Sequence, residues 1–318
     1  MVKILKVLIT GGAGFIGRWT AKEFLDNGHS VIVLDNLVNS TKQNIREFEP
    51  NKSFKFIKGD ILNKSLLAKI FKTDIDLCIH LDALINVQES IEKPSIYFET
   101  NVVGTQNLLE NCRKHDVKFV LMSTCMVYNT SATQAINEEH PIKPASPYSG
   151  SKVAAEYLAL SYYYSYNLPV VILRPFNTYG PYQKSNLEGG VVSIFLNRKL
   201  QAKNLIVFGN GSQTRDLLYV EDCARFVYES AFNKNAVGQI INGGYGQDIA
   251  INDLAYKIVH DKSRIEHVKH HHPQAEIPKL LSDNSKAKKI LNWKPRISLD
   301  KGIKKTENWI KSAAEFNH

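Results

Sequence analysis

The chain predicts an α/β fold: a doubly wound parallel sheet with a smaller C-terminal lobe. Short continuous Val/Ile/Leu runs alternate with longer helical patterns through the first half, as strands buried on both faces require. After Pro175 that rhythm breaks, Gly and Asn cluster in "FGNGSQ" and "NGGYGQ", and the elements shorten. The size agrees: 318 residues, 43% hydrophobic and 22% charged, suit one large domain or two unequal ones. We therefore expect a first domain over 1–175, with later segments returning to it, and a lobe made mainly of 176–318.

The elements run in order along the chain. "KVLIT" (Lys6–Thr10) reads as the first strand, followed by a helix pattern through Gly28. "SVIVLD" (Ser30–Asp35) and "FKFIKGD" (Phe54–Asp60) are the next strands, and "SLLAKIF" is helix-like. "IDLCIHL" (Ile75–Leu81), "VKFVLMS" (Val117–Ser123) and "PVVILRP" (Pro169–Pro175) continue the series. The stretch from Tyr148, "YSGSKVAAEYLALSYYYSY", reads as a helix.

Several classes of protein are disfavoured. No apolar run approaches the roughly 18 residues of a membrane span, and the N-terminus has no small-residue cleavage site. Cys78, Cys112, Cys125 and Cys223 are scattered, without metal or disulfide spacing, which fits a reducing cytoplasm. His267 and the triplet His270–His272 lack a further Cys/His partner, so a solvated loop and no metal are expected. The net charge of +9 fits an anionic ligand. Nucleic acid is disfavoured, because the Lys residues are dispersed and not interleaved with aromatics.

"TGGAGFIG" places Gly11, Gly14 and Gly17 after a strand and at the opening of a helix. Backbone N–H groups at such a helix start face a pyrophosphate, and glycine lets the backbone approach it. Asp35 then ends the second strand, where an acid accepts from both ribose hydroxyls and repels a 2′-phosphate, favouring NAD over NADP. Further on, Tyr148 and Lys152 stand at Tyr-x-x-x-Lys spacing, which shares one helix face. A tyrosine is a poor base at neutral pH until a nearby ammonium and a cationic nicotinamide favour its phenolate.

With "GDI" (Gly59–Ile61), "HLDA" (His80–Ala83), "NVVGT" (Asn101–Thr105), "ST" (Ser123–Thr124), "SPYSGSK", "RPFNTYGP" (Arg174–Pro181), "GNGSQTRDLLYVED" (Gly209–Asp222) and "SKAKKILNWKP" (Ser285–Pro295), the chain resembles an extended short-chain dehydrogenase/reductase of the nucleotide-sugar epimerase/dehydratase type. The resemblance implies a Rossmann domain whose NAD is held by Gly11, Gly14, Phe15, Ile16, Gly17, Asp35, Asn36, Asp60, Ile61, Leu81, Tyr148 and Lys152. It implies a C-terminal lobe that binds a nucleotide-sugar substrate, with UDP-hexose favoured. Thr124 is expected near C4 of the sugar, Asn177 and Val191 near the sugar, and Arg215 on the diphosphate. His272, in "HHPQAE", stands where a second basic contact is usual.

Two departures bear on the subtype. Asp82 replaces an alanine of many relatives, either as a solvated loop residue or at the mouth of the active site. Cys125 and Met126 stand where the sugar 4,6-dehydratases carry Asp-Glu, the pair that handles the C6 hydroxyl and the C5 proton. The 4-epimerases need neither acid. "STCMVY", "KPASPY", "LSYYYSY" and "EGGVVSIF" resemble the tunicamycin-pathway UDP-N-acetylglucosamine 5,6-dehydratases most closely. That likeness implies a dehydratase acting through transient oxidation at C4. Tyr148, Lys152, Thr124 and Cys125 would be catalytic and Glu188 a supporting carboxylate. Cys125 and Met126 as packing beside the sugar is the other reading. A UDP-hexose 4-epimerase is the alternative function, and a catalytically silent NAD-binding sensor a third. Helices around Val102–Cys112 and Val153–Tyr166 carry apolar and Tyr residues on more than one face, which predicts a homodimer.

Overall fold

Seven strands form one parallel sheet in the computed structural model, which describes residues 4–129, 134–185, 190–269 and 277–315. They are β1 (Lys6–Thr10), β2 (Ser30–Asp35), β3 (Phe54–Lys58), β4 (Leu77–His80), β5 (Lys118–Met122), β6 (Val170–Pro175) and, much later in the chain, β10 (Ile240–Gly243). Their spatial order is β10-β6-β5-β4-β1-β2-β3. The chain reverses its direction of travel between β1 and β4, whose residues pair in register from Val7↔Leu77 to Thr10↔His80. Such a reversal is where doubly wound sheets bind ligands, in the crevice beyond the C-terminal ends of the strands.

Two helical layers cover the sheet. Helices α1 (Phe15–Asp26), α8 (Val220–Phe232) and α10 (Ser285–Leu291) bury Phe24, Phe226 and Leu291 against Val7 and Ile9 of β1. Helices α2 (Lys64–Phe71), α5 (Gly104–Lys114) and α6 (Pro147–Tyr166) bury Phe71, Leu108 and Ala155 against Leu8. Alternate residues of one strand thus feed opposite cores, which is why these strands are apolar throughout. Two short helices, α3 (Val87–Glu92) and α4 (Pro94–Phe98), lead into a π-helical turn at Glu99–Val103 before α5.

A second, smaller sheet stands beside the first. In it β9 (Thr214–Tyr219) pairs with β7 (Asn177–Tyr179), β11 (Asp248–Ala250) and β13 (Lys279–Leu280). Helices α7 (Val191–Leu200), α9 (Ile251–Val259) and α11 (Leu299–Glu315) close its core with Phe195, Leu254 and Ile303. Strands β8 (Leu205–Phe208) and β12 (Ile265–Val268) pair alongside. The chain from Val220 to Gly243, and again Ser285–Leu291, lies with the seven-stranded sheet. Among the described residues, no helix is long and apolar enough to cross a membrane.

Candidate functional site

The glycine-rich loop between β1 and α1 is shaped by what glycine lacks. Gly11 has φ +69°, and a Cβ there would lie 2.7 Å from the Asp82 backbone nitrogen. A Cβ at Gly17 would overlap the Gly11 carbonyl oxygen. The loop closes tightly on itself, and the first turn of α1, with Phe15 and Ile16 half-buried, opens toward the crevice. Asp35 ends β2 buried and accepts from Ala13 N at 3.0 Å, Leu37 N at 2.8 Å and Ser40 Oγ at 2.7 Å. It therefore braces the loop as well as presenting a carboxylate at the strand end. Asn36 Nδ2 donates to Asp60 Oδ2 at 2.9 Å, joining the ends of β2 and β3. The Ile61 side chain lies in the core under Gly104, so only its backbone is available to a ligand. Leu81 N donates to Thr10 O at 3.1 Å, which fixes the lip after β4.

The other wall is helix α6. A capping box formed by Ser146 and Ser149 starts it, Pro147 occupies its first turn, and Asn167 ends it in the left-handed conformation. Tyr148 and Lys152 are one turn apart and both buried. Lys152 Nζ donates to the Met122 carbonyl at 2.6 Å, at the end of β5. Burial lowers its pKa to about 8, against the pull of Glu156 and Asp82. Burial pushes the Tyr148 hydroxyl up to about 12, opposed by a hydrogen bond with Thr124 and reinforced by Cys125. Thr124 caps a short 3-10 turn, Cys125–Val127, by accepting from Met126 N at 3.1 Å. Gly11, Asp82, Lys152, Tyr148 and Thr124 thus follow one another across the crevice.

Cys125 lies in a small apolar cluster with Val127, Tyr128, Phe176 and Leu280, with Met126 packed against it. Burial pushes its thiol up to about 12, with Arg215 opposing and Asp216 adding. The position that would carry a carboxyl for elimination thus holds a protonated thiol. Arg215 lies on β9, and its Nη1 donates to the carbonyls of Thr214 at 2.7 Å and Ile277 at 2.8 Å. Asn177 begins β7 with a buried Oδ1 that has no partner among the described residues. Val191 opens α7, half-buried. Glu188 and His272 lie outside the described residues, as do His270 and His271. Among the described residues no group of three or more His, Cys, Asp or Glu could hold a metal.

Against known proteins, the profile of the GDP-mannose 4,6 dehydratase family matches residues 8–306. A putative UDP-glucose 4-epimerase of Methanocaldococcus jannaschii is 38% identical over 310 residues, covering 96% of this chain and 98% of that one. The X-ray structure of Pal from Bacillus thuringiensis superposes with a TM-score of 0.95 at 57% identity, over 97% of this chain and all of that one. The chain belongs to the extended short-chain dehydrogenase/reductase family of NAD-dependent nucleotide-sugar epimerases and dehydratases. It is an enzyme of that family. DesIV of Streptomyces venezuelae, a dTDP-glucose 4,6-dehydratase solved with NAD and TYD, shares the fold at TM-score 0.92 and 28% identity, over 98% of each chain.

Family membership directs attention to groups whose role the sequence does not announce. Asn101, in the π-helical turn, accepts from Leu84 N at 2.9 Å and donates to Leu84 O at 3.0 Å and Ser151 Oγ at 2.9 Å. It ties the lip after β4 to α6 beside Lys152. His80 bridges Thr10 at 2.8 Å and Thr105 at 2.9 Å. Arg174 and Glu156 pair through two bonds, of 2.9 and 2.5 Å, in full burial. Asp216 accepts from the backbone N–H groups of Tyr245, Gly246 and Ser282 behind Arg215. The signals for Asn101 were its place in "NVVGT" and the weak helix propensity of an asparagine at the head of a helical pattern.

Proposed function

We propose that the chain uses NAD to oxidise C4 of a UDP-hexose transiently, with Tyr148 as the base. The observation that carries this reading is the crossing of the crevice by Tyr148, Lys152 and Thr124 opposite the glycine-rich loop. The loop fits the dinucleotide: Gly11 and Gly17 leave a backbone cradle that a Cβ would fill, and Asp35 ends β2 in position for ribose hydroxyls. NAD, when bound, supplies the hydride acceptor. Lys152, cationic below about 8, lowers the cost of the Tyr148 phenolate, and Thr124 orients the substrate hydroxyl that loses its proton to Tyr148. Arg215 is the candidate for the diphosphate, and Asn177 and Val191 for the sugar side. UDP as the nucleotide is taken from the names of relatives such as the Methanocaldococcus jannaschii protein. Glu188 and His272 remain expectations from sequence.

The fate of the ketone is set by Cys125 and Met126. They offer no carboxyl pair for 4,6-elimination, and the thiol is held protonated by burial. Inversion at C4 needs no group beyond those named, since the ketone only has to receive hydride on its other face. Elimination of water is a second reading: a 4-ketone acidifies the C5 proton, and a protonated thiol is an acid that can serve a leaving hydroxyl. The deciding experiment incubates the enzyme and NAD with a panel of nucleotide sugars in D2O and reads products by mass spectrometry and NMR. Unchanged mass with inverted C4 supports epimerisation, and loss of water supports the dehydratase. Deuterium at C5 without water loss would move the chemistry to C5. No turnover of any nucleotide sugar by NAD-loaded protein would overturn the enzyme reading of this site in favour of the sensor.

We also propose a homodimer formed through α6, as expected, but with α4 in place of the helix around Val102–Cys112, whose Leu108, Leu109 and Cys112 are buried against the sheet. The neighbouring helices α4 and α6 expose Phe98, Tyr157 and Tyr164, at 56%, 61% and 73% of their surface. Such a grouping of large apolar surface is what an interface covers.

A further inference from the structure

A carboxyl-bearing residue stands directly beside the glycine-rich loop. Asp82 follows β4 at Leu81, and its backbone nitrogen and Cα would lie 2.7 and 2.8 Å from a Cβ at Gly11, so it is pressed directly on the loop. Its Oδ2 is buried and has no hydrogen-bond partner among the described residues. A buried oxygen left unpaired is costly, and a ligand that pairs it recovers that cost. The charged groups that face it are Asp35 from the end of β2, Asp60 after β3, and Lys152 from α6. His80, in β4, is neutral, its pKa pushed down to about 3 by burial and then by Lys152. Tyr148 is also neutral, being pushed up to about 12 by burial. Two carboxylates thus outnumber one ammonium. Burial, then Asp35 and Asp60, raise Asp82 to about 7 against Lys152.

A pyrophosphate arriving at this loop brings two more negative charges and only acceptor atoms. An ionised Asp82 would repel it, whereas a protonated carboxyl has one O–H to donate. We propose that Asp82 is a further cofactor-binding residue, which holds the pyrophosphate of the dinucleotide as a neutral carboxylic acid, so that NAD binding takes up a proton. This rests on the NAD reading of the site and on nothing about the sugar.

The test titrates the NAD-free chain with NAD by calorimetry between pH 6 and 9, in buffers of different ionisation enthalpy, for wild type, Asp82→Asn and Asp82→Ala. Wild type should take up close to one proton at about pH 8, and its affinity should fall about tenfold per pH unit above about 7. Asp82→Asn keeps a donor that cannot ionise, so it should bind without this proton uptake and more tightly than wild type at pH 8. Asp82→Ala should bind more weakly than Asp82→Asn at every pH. An infrared band of a protonated carboxyl should appear on NAD binding in wild type and be absent from Asp82→Asn. If Asp82→Asn keeps the proton uptake and the alkaline loss, the titrating group is Lys152 and the proposal falls. If wild type takes up no proton and Asp82→Asn binds worse at all pH values, the carboxylate is an ionised acceptor of a ribose hydroxyl and the proposal again falls. Because no sugar is present, a chain that shows the proton uptake but turns over no nucleotide sugar refutes the proposed function alone. A chain that binds no NAD at any pH refutes both.

Discussion

Tyr148 carries the proposed chemistry against an unfavourable setting. Burial raises its pKa to about 12, so its proton leaves at neutral pH only with cationic help. Lys152, one turn on and lowered to about 8 by burial, is the protein's share of that help. Replacing it with methionine removes the charge while keeping the stem. Lys152→Met should reduce kcat at pH 7 by about 10²–10³-fold and move the acid limb of the rate profile to higher pH. The sign comes from the shift: Lys152 is charged below about 8, so wild type should lose its advantage over the variant as pH rises through that value. A full pH–rate comparison of the two proteins checks this. Cys125 is the opposite case. Its thiol is pushed up to about 12 within an apolar cluster, so Cys125→Ala should leave steady-state turnover within about threefold. It should cost about 1 kcal/mol of stability, read as a lower denaturant midpoint. A loss of about 10² or more in turnover with stability unchanged would restore the thiol to the chemistry.

Each element of the site is held by a contact that its own sequence does not announce. The cradle requires Gly17, where a Cβ would overlap the Gly11 carbonyl. Gly17→Ala should therefore abolish NAD binding by fluorescence titration while the circular dichroism of the fold persists. Helix α6 is anchored by the Glu156–Arg174 pair, buried against β6. Glu156→Gln leaves a buried guanidinium uncompensated and should cost about 3–5 kcal/mol, measured by denaturant unfolding. How much of this was legible in the sequence varies by element. The strands Lys6–Thr10 and Ser30–Asp35 match the pattern to the residue, because both faces of the sheet are buried. The third strand ends at Lys58, before the sequence pattern ends, because Asp60 turns back to accept from Leu62 N at 2.8 Å. The Tyr148–Lys152 spacing was readable because one helix turn fixes it. The placing of Lys152 on the Met122 carbonyl, of Asn101 across Leu84 and Ser151, and of Asp82 on Gly11 joins residues 17 to 71 positions apart. Contacts of that range are set by the strand order, which periodicity does not encode.

At the scale of the whole molecule, the remaining question is what covers the outer face of α4 and α6. Tyr148 and Lys152 lie on the inner face of α6, toward the sheet, while Tyr157 and Tyr164, seven residues apart, share its outer face, and Tyr166 at the helix end packs on Tyr162 and under Arg113 of α5. Phe98 adds an exposed ring from α4, which packs beside α6. Single exposed apolar residues are common, but three large aromatics on two adjoining helices form a surface that water solvates poorly. A second copy related by a two-fold axis would cover this face with the same face, and the aromatic rings would supply the anchors. The chain should therefore sediment as a dimer at micromolar concentration. Phe98→Glu combined with Tyr157→Glu should shift it to monomer, because two charges per subunit would be buried without partners. Since α6 also carries the proposed base, separation should lower kcat more than the affinity for NAD, whose loop belongs to the distant α1. A monomeric wild-type mass at micromolar concentration would remove the interface. An unchanged dimer in the double variant would move it to another face.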